Sequence, residues 1–192
     1  MPPHKHQQLM TAAVERDGAA QEAVLAGDVG AAVDAFAQAA DLYRQSWEVA
    51  HPTAYGRLVG MLKSAVLAGG GVPEAEYVRE ALADAARDSA TAAYARALAA
   101  LILGEDDEAQ VWAGRMESGG EAFARTGEAL AALAQGDRRR YESALTAIVR
   151  DFEQRAAHLT GVTIADTALM LEQLAARRGV AVAVESPVLP VL

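Results

Sequence analysis

The chain has 192 residues, enough for one domain or one short array of repeats with a buried core. Its formal net charge of −9 argues against a nucleic-acid partner, because phosphate groups would repel it, and the absence of cysteine excludes disulfides and zinc–sulfur sites. No apolar run reaches the ~20 residues that cross a bilayer, and PPHKHQQ after Met1 is unlike a signal peptide, so we expect a cytoplasmic protein with no membrane partner.

Alanine dominates the composition. The chain holds 46 alanines, and its residues are 52% hydrophobic but only 5% aromatic. Alanine is the best helix former and lets backbones approach closely, so this balance predicts an all-α protein of about nine thin, tightly packed helices. Arginine supplies 15 of the 17 basic residues, which together with the alanines is typical of a GC-rich bacterial genome.

Four alanine-rich apolar segments end at a glycine, and another helical segment begins soon after each of them. The glycines are Gly27, Gly69, Gly104 and Gly136, at spacings of 42, 35 and 32 residues. Glycine just past a helix end readily adopts the left-handed cap conformation, and acidic residues follow three of the four, which suits the positive start of the next helix. Each unit therefore predicts a helix, a tight turn and a second helix.

In chain order, we expect one all-helical domain over 1–192, built from hairpin units at about 7–50, 53–87, 89–117 and 120–158. The helices after the first unit are predicted near 53–68, 73–87, 89–103, 106–117 and 120–135, with Pro73 in a first turn. A final helix over 163–178 is predicted to open with a capping box of Thr163 and Asp166. The alternating, proline-bounded stretch 179–192 predicts a short extended segment that lies against the helices.

Two helices carry apolar stripes at helical spacing, which predicts the faces that they turn to the core. The stripe in the first unit consists of Val29, Val33, Phe36, Ala40, Tyr43 and Trp47. The stripe in the last unit consists of Tyr141, Leu145, Ile148, Val149 and Phe152.

The stretch GDVGAAVDAFAQAADL resembles the second half of a tetratricopeptide repeat. Gly27-Asp28 stands at the turn, Ala32 and Ala39 at the two small positions, and Phe36 at the aromatic position. The later units match less well, since Ala113 replaces the aromatic residue, Tyr141 replaces a small one, and the proline between repeats is missing. The resemblance implies a degenerate array of antiparallel helical hairpins, stacked either as a short solenoid or as a compact bundle.

The residues that carry chemistry form no catalytic or cofactor-binding motif. The histidines His4, His6, His51 and His158 lack metal-binding spacing, and we expect His4-Lys5-His6 to be a solvated tail. No serine stands in a GxSxG context, and the glycines at 69–71 have no phosphate-binding lysine. The acidic run 105–108 lacks calcium-loop spacing and suits a helix start. We therefore expect no enzyme activity, no cofactor and no metal.

The leading hypothesis is a non-enzymatic protein-interaction module, because helical-hairpin arrays present curved surfaces that bind peptides or helices. An acidic surface favours a basic protein or peptide partner. The candidate partner-binding residues are Tyr43, Trp47, Trp112, Arg138, Arg139 and Arg140. An alternative is a small-molecule sensor or carrier whose apolar cavity is lined by Tyr43, Trp47 or Trp112. The apolar, alanine-rich face of 89–103 also predicts a homodimer.

The C-terminal third resembles the end of a family of bacterial toxin-immunity proteins, the Immunity Protein forty-nine family. The matching residues are Leu174, Arg178, Gly179, Val182, Ser186, Pro187, Leu189 and Pro190. The resemblance covers about 35 residues and implies a narrower alternative, in which the protein neutralises a cognate toxin by binding it.

Overall fold

A computed structural model of the chain describes residues 4–83 and 88–190 and is all-α, as the composition predicts. The described residues form nine α-helices and one short 3-10 helix, Met116–Gly119, that the sequence did not predict. The α-helices are α1 Lys5–Leu25, α2 Val29–Glu48, α3 Gly56–Leu67, α4 Val72–Ala81, α5 Ala90–Leu103, α6 Asp106–Arg115, α7 Glu121–Gln135, α8 Arg138–Glu153 and α9 Asp166–Arg177.

The four predicted turns are confirmed, and each has a glycine with positive φ, Gly104 among them at +77°. At this turn Gly104 N–H donates to the carbonyl of Leu101 at 3.3 Å, and Glu105 N–H donates to that of Ala100 at 2.9 Å. These bonds satisfy carbonyls that the end of α5 leaves without partners, in a conformation that residues with a Cβ rarely adopt. The turn then leads directly into α6.

The hairpin of α1 and α2 buries most of the predicted stripe of α2, with Phe36, Ala40 and Tyr43 buried and Trp47 half-buried. Ala32, Phe36 and Ala39 are buried, whereas Val29 and Val33 are exposed. The predicted stripe is therefore wrong in its first two residues. Both residues lie in the first turns of α2, directly after the exposed turn at Gly27. The first residue that α2 buries is Ala32, which is adjacent to Val33 but lies outside the predicted stripe. In α8, by contrast, all five predicted core residues are buried.

Helices α2 and α3 approach closely at Gly60. A Cβ at this position would lie 2.8 Å from ring atoms of Tyr43, so glycine is what allows the ring to approach α3 this closely. In the GxxxG pair Gly56–Gly60, it is Gly60 that stands at this close contact. Gly56 has no atom within 4 Å of its Cβ position.

Helix α5 is the central helix of the fold. It packs against α3, α4, α6 and α7, and its alanines from Ala92 to Ala100 are buried. The face at 89–103 is therefore covered within one molecule and is not available as the dimer interface for which it was predicted. The physical reason given for a homodimer is thereby removed, although the homodimer itself stays a prediction.

Several predicted helix boundaries are wrong, and the final helix is the clearest case. It begins at Asp166 and not at Thr163, so the predicted capping box does not form. Ala165 N–H donates to the carbonyl of Val188 at 2.6 Å, which keeps this residue outside the helix. Helix α3 begins at Gly56, α4 ends at Ala81 and α8 ends at Glu153, while predicted positions 84–87 of α4 and the last two of the C-terminal segment lie outside the described residues. The N-terminus is helical from Lys5 instead of a solvated tail.

Helix α9 returns to the early part of the chain and closes the array. It packs against α3, α7 and α8. Lys63 Nζ on α3 donates to Asp166 Oδ2 at 2.6 Å and to the Thr167 hydroxyl at 3.1 Å. In an open solenoid each repeat contacts only its neighbours, so the α3–α9 contact makes this a closed helical array. Among the described residues, no helix is both long enough and apolar enough to cross a membrane.

Candidate functional site

The segment after α9 is fixed at both of its ends. Val180 N–H donates to the Ala175 carbonyl at 3.0 Å, and Ala165 N–H donates to the Val188 carbonyl at 2.6 Å. Residues 165 and 175 stand about 15 Å apart along a helix axis. The segment therefore runs back along the whole of α9 in an extended path. The Ser186 hydroxyl ties its far end to Glu153 of α8 at 2.6 Å.

The middle of this segment, residues 181–185, has the character of an unpaired edge strand. Burial alternates, since Val182 is buried and Val184 half-buried, whereas Ala183 and Glu185 are exposed. Within the described chain, these five residues neither donate nor accept a backbone–backbone hydrogen bond. Unpaired N–H and C=O groups in a row are a template for pairing with another strand.

A groove of about 850 Å³ lies between this segment and α9. The α9 side presents Leu169, Glu172, Gln173 and Ala176, which fall at the i, i+3, i+4, i+7 spacing of one helix face. The other side is the segment 181–186 with Leu189 and Pro190. We refer to this feature as the C-terminal groove.

The charges that line the C-terminal groove are acidic on balance, with two carboxyls and one arginine. Glu172 and Glu185 line it, and its arginine, Arg177, is held by the carbonyls of Gly70 at 2.8 Å and Val66 at 3.0 Å. Burial raises the pKa of Glu172, against the opposing effects of the Tyr141 hydroxyl and the Val182 N–H. Two carboxyls beside apolar side chains favour a partner with basic and apolar residues.

The aromatic residues predicted to bind a partner do not come together. Tyr43 is buried against Gly60 and donates to Asp17 at 2.8 Å, so it belongs to the core. Trp47 is half-buried against Tyr55, with ring centroids 6.0 Å apart. Trp112 is buried between the guanidinium groups of Arg96 and Arg115. Trp112 lines a pocket of about 270 Å³ together with the charged side chains of Arg79 and Glu105, and neither Tyr43 nor Trp47 lines that pocket.

The three arginines at the start of α8 are separated by their contacts. Arg140 forms an ion pair with Glu128 of α7 and also donates to Gln135 at 2.8 Å. Arg138 and Arg139 are exposed, and Arg139 lines a shallow depression on the outer face of α8. Arg138 lies near enough to Glu172 to oppose the rise of that pKa. Arg138 is therefore the predicted site residue whose charge acts on a carboxyl of the C-terminal groove.

A second, polar pocket of about 180 Å³ lies between α3, α7, α8 and the start of α9. One wall carries Lys63 with Asp166, and the other carries Arg125 and Arg155, which donate to Asp151 at 2.6 Å each. Burial lowers the pKa of Lys63, but the negative charge of Asp166 and the hydrogen bond that Lys63 donates to it outweigh that effect and raise the pKa. The first of these walls is not visible in the sequence, because Lys63 and Asp166 are 103 residues apart.

Two carboxyls of the acidic run at the start of α6 form ion pairs with arginines of other parts of the fold. Glu105 pairs with Arg79 at 3.0 Å, and Asp106 forms an ion pair with Arg178 after α9. Among the described residues, no group of three or more histidine and carboxyl side chains is placed to hold a metal ion.

The comparisons with known proteins found no matching family model, no similar curated protein and no similar solved structure. The function therefore has to be argued from the two sites just described.

Proposed function

We propose that this protein is a non-enzymatic protein-interaction module whose binding surface is the C-terminal groove. The observation that carries the proposal is the row of five residues, 181–185, without backbone–backbone hydrogen bonds beside a partly apolar groove. An extended segment of a partner chain gains its affinity from main-chain pairing of this kind and its specificity from alternate side chains. Five extended residues span about 17 Å, a usual strand length.

The chemistry of the groove defines the partner further. Val182 N–H lies near the Glu172 carboxyl on α9, and successive N–H groups of an extended chain point to opposite sides. The N–H groups of Ala181, Ala183 and Glu185 are therefore those that a partner strand would meet. Glu172 and Glu185 favour a partner segment in which basic residues alternate with apolar ones.

The experiment is a selection of peptides from a phage-displayed library, followed by affinity measurements on the enriched sequences. Ala183→Pro removes one outward N–H at an exposed position and should weaken binding by about tenfold or more, the loss of one to two hydrogen bonds in free energy. Ala183→Thr keeps the N–H and should bind like the unmodified protein. Amide exchange at 181, 183 and 185 should slow when a peptide is bound.

Two results would contradict the proposal. One is the absence of any enriched peptide. The other is a set of peptides that bind equally well to the proline and threonine variants without protecting the amides of 181–185.

A narrower form of the proposal makes the partner a bacterial toxin. It rests on the resemblance of the C-terminal third to toxin-immunity proteins, whose matching residues include Val182, Ser186 and Leu189 of the groove segment. A toxin gene beside the gene for this chain would support it, and a toxin that stays active in a mixture with the purified protein would count against it.

A further inference from the structure

The polar pocket between α3, α7, α8 and α9 is separate from the C-terminal groove, since the two share no lining residue. Its volume of about 180 Å³ is similar to the ~150 Å³ of an engineered cavity that binds benzene. Its walls combine polar side chains with the apolar side chains of Ile148, Phe152 and Ile164. The pocket therefore has room for a small organic molecule with a short apolar body.

The charges that line the pocket are positive on balance, although the whole chain carries a net charge of −9. Lys63, Arg125 and Arg155 line it, against Asp151 and Asp166. A further carboxylate, Glu121, contacts Arg125 at 3.6 Å, but its side chain is 95% exposed, so water screens its charge. The lining thus has one cation more than it has carboxylates.

Both carboxylates of the pocket are already engaged by protein donors. Asp151 accepts from Arg125 on one oxygen and from Arg155 on the other. Asp166 accepts from Lys63 on one oxygen and from Thr167 N–H on the other, at 2.6 and 2.7 Å. Each of these carboxylate oxygens thus already has a donor, whereas the ammonium of Lys63 has a third hydrogen and Arg125 has further N–H groups.

Gln21 contributes a side-chain amide to the lining of the pocket. Its side chain lines the pocket and is 2% exposed, and its Oε1 accepts from the Thr160 hydroxyl at 2.5 Å. Its Nε2 has no hydrogen-bond partner among the described residues. His158 also lines the pocket, and its Nδ1 is buried without a partner. Buried polar atoms without partners are uncommon in folded proteins, and His158 Nδ1 is one that belongs to the lining of this open volume.

We propose that this pocket binds a small monocarboxylate with a short apolar body. The carboxylate accepts hydrogen bonds from the unpaired donors and neutralises the one excess positive charge, while the hydrocarbon packs on Ile148, Phe152 and Ile164. Charge-assisted hydrogen bonds to Arg and Lys are the strong ones in such a site. The proposal is independent of the groove, so the two can fail separately.

The test is calorimetric titration of the whole protein with sodium benzoate, and with benzamide as the uncharged molecule of the same shape. Benzoate should bind at least about tenfold more tightly than benzamide, a difference of about 1.4 kcal/mol. Inorganic phosphate, which lacks the apolar body, should bind more weakly than benzoate. Equal binding of benzoate and benzamide, stronger binding of phosphate, or no binding of benzoate would each overturn the proposal.

Three variants test whether benzoate binds in this pocket, because they should change its affinity in opposite directions. Arg125→Met balances the charges of the lining and should weaken benzoate binding by about tenfold or more, or about 1.4 kcal/mol. Asp151→Asn adds one more uncompensated positive charge and should tighten binding. Gln21→Met removes the free amide N–H groups at similar volume and should weaken it.

Arg139→Met is the matched control, since it removes an exposed arginine from α8 that does not line this pocket, and it should leave benzoate binding unchanged. Circular dichroism on each variant distinguishes loss of binding from loss of fold. Equal weakening by Arg139→Met and Arg125→Met, or weaker binding in folded Asp151→Asn, would overturn the assignment to this pocket.

Discussion

Asp17 is a carboxyl that three helices enclose. Its two oxygens accept hydrogen bonds from the hydroxyls of Ser64 at 2.7 Å and Tyr43 at 2.8 Å, so it joins α1 to α2 and α3. Burial raises the pKa of Asp17, and these two hydrogen bonds and the charge of Lys63 only partly oppose the rise. The folded protein therefore holds a proton on Asp17 to higher pH than the unfolded chain does.

This shift predicts a pH dependence with a definite sign. Between the unfolded and the folded pKa of Asp17 the native state binds more protons, so the free energy of unfolding falls as the pH rises through that window. Asp17→Asn lacks this titration. We expect the variant to gain stability relative to the unmodified protein between pH 4 and pH 8, by about 1.4 kcal/mol for each unit of pKa shift. Urea titrations at both pH values measure the difference, and a constant difference would contradict the expectation.

The helices pack closely because glycine and alanine occupy their crossings, and Gly127 of α7 is the tightest case. A Cβ at Gly127 would lie 2.6 Å from the backbone carbonyl oxygen of Ala113 in α6, and a helix backbone cannot move aside alone. Gly114, the residue after Ala113, has no atom within 4 Å of its Cβ position. The two glycines therefore differ in packing, while both lie in helices.

We predict that Gly127→Ala destabilises the protein, because overpacking costs about 1–3 kcal/mol and exceeds the roughly 1 kcal/mol that alanine gains in helix propensity. Gly114→Ala should instead be neutral or stabilising, by up to roughly 1 kcal/mol. Midpoints of urea unfolding compare the variants. Destabilisation of equal size in both would mean that the crossing of α6 and α7 is not the cause.

Local sequence signals predicted the helices well, but they predicted poorly which parts of the fold each helix packs against. The glycine turns and the α8 stripe followed from capping and periodicity, which are properties of a short stretch of chain. The start of α9 was wrong because Ala165 bonds to Val188, a contact that no local pattern contains. Val29 and Val33 were misplaced because periodicity identifies an apolar line but not which part of it another helix covers.

The two candidate sites also combine local features that the sequence shows with long-range contacts that it does not show. The alternation in 181–185 was readable, so the extended segment was expected, but the groove also requires the face of α9 beside which it lies. The polar pocket had no sequence signal, since Gln21 and its partner Thr160 stand 139 residues apart. The predicted aromatic and arginine residues were chosen by type, and type alone does not show that Tyr43 is buried or that Arg140 is paired with Glu128.

At the scale of the whole molecule, α9 changes how the array should unfold. Stacked repeats that contact only their neighbours can lose structure from one end. Here α9 links α3 to α7 and α8, and Lys63 joins it to the early part of the chain through Asp166. The first and last parts of the fold therefore depend on each other.

We expect a single cooperative unfolding transition, and the two tryptophans report on it separately. Trp47 lies in α2 and Trp112 in α6. In the variants Trp47→Phe and Trp112→Phe, the fluorescence of the remaining tryptophan should follow the far-ultraviolet circular dichroism with the same midpoint in urea. A change in Trp47 fluorescence that precedes the loss of helix would indicate that the first hairpin unfolds alone.

The turn at Gly27 has a practical consequence for studying both sites. Residues 25–31 are exposed, a Cβ at Gly27 would meet no atom within 4 Å, and none of these residues lines the C-terminal groove or the polar pocket. Exposed tips of this kind tolerate inserted sequence better than packed segments do. A fluorescent reporter or an affinity tag spliced into this turn would leave both candidate sites unobstructed.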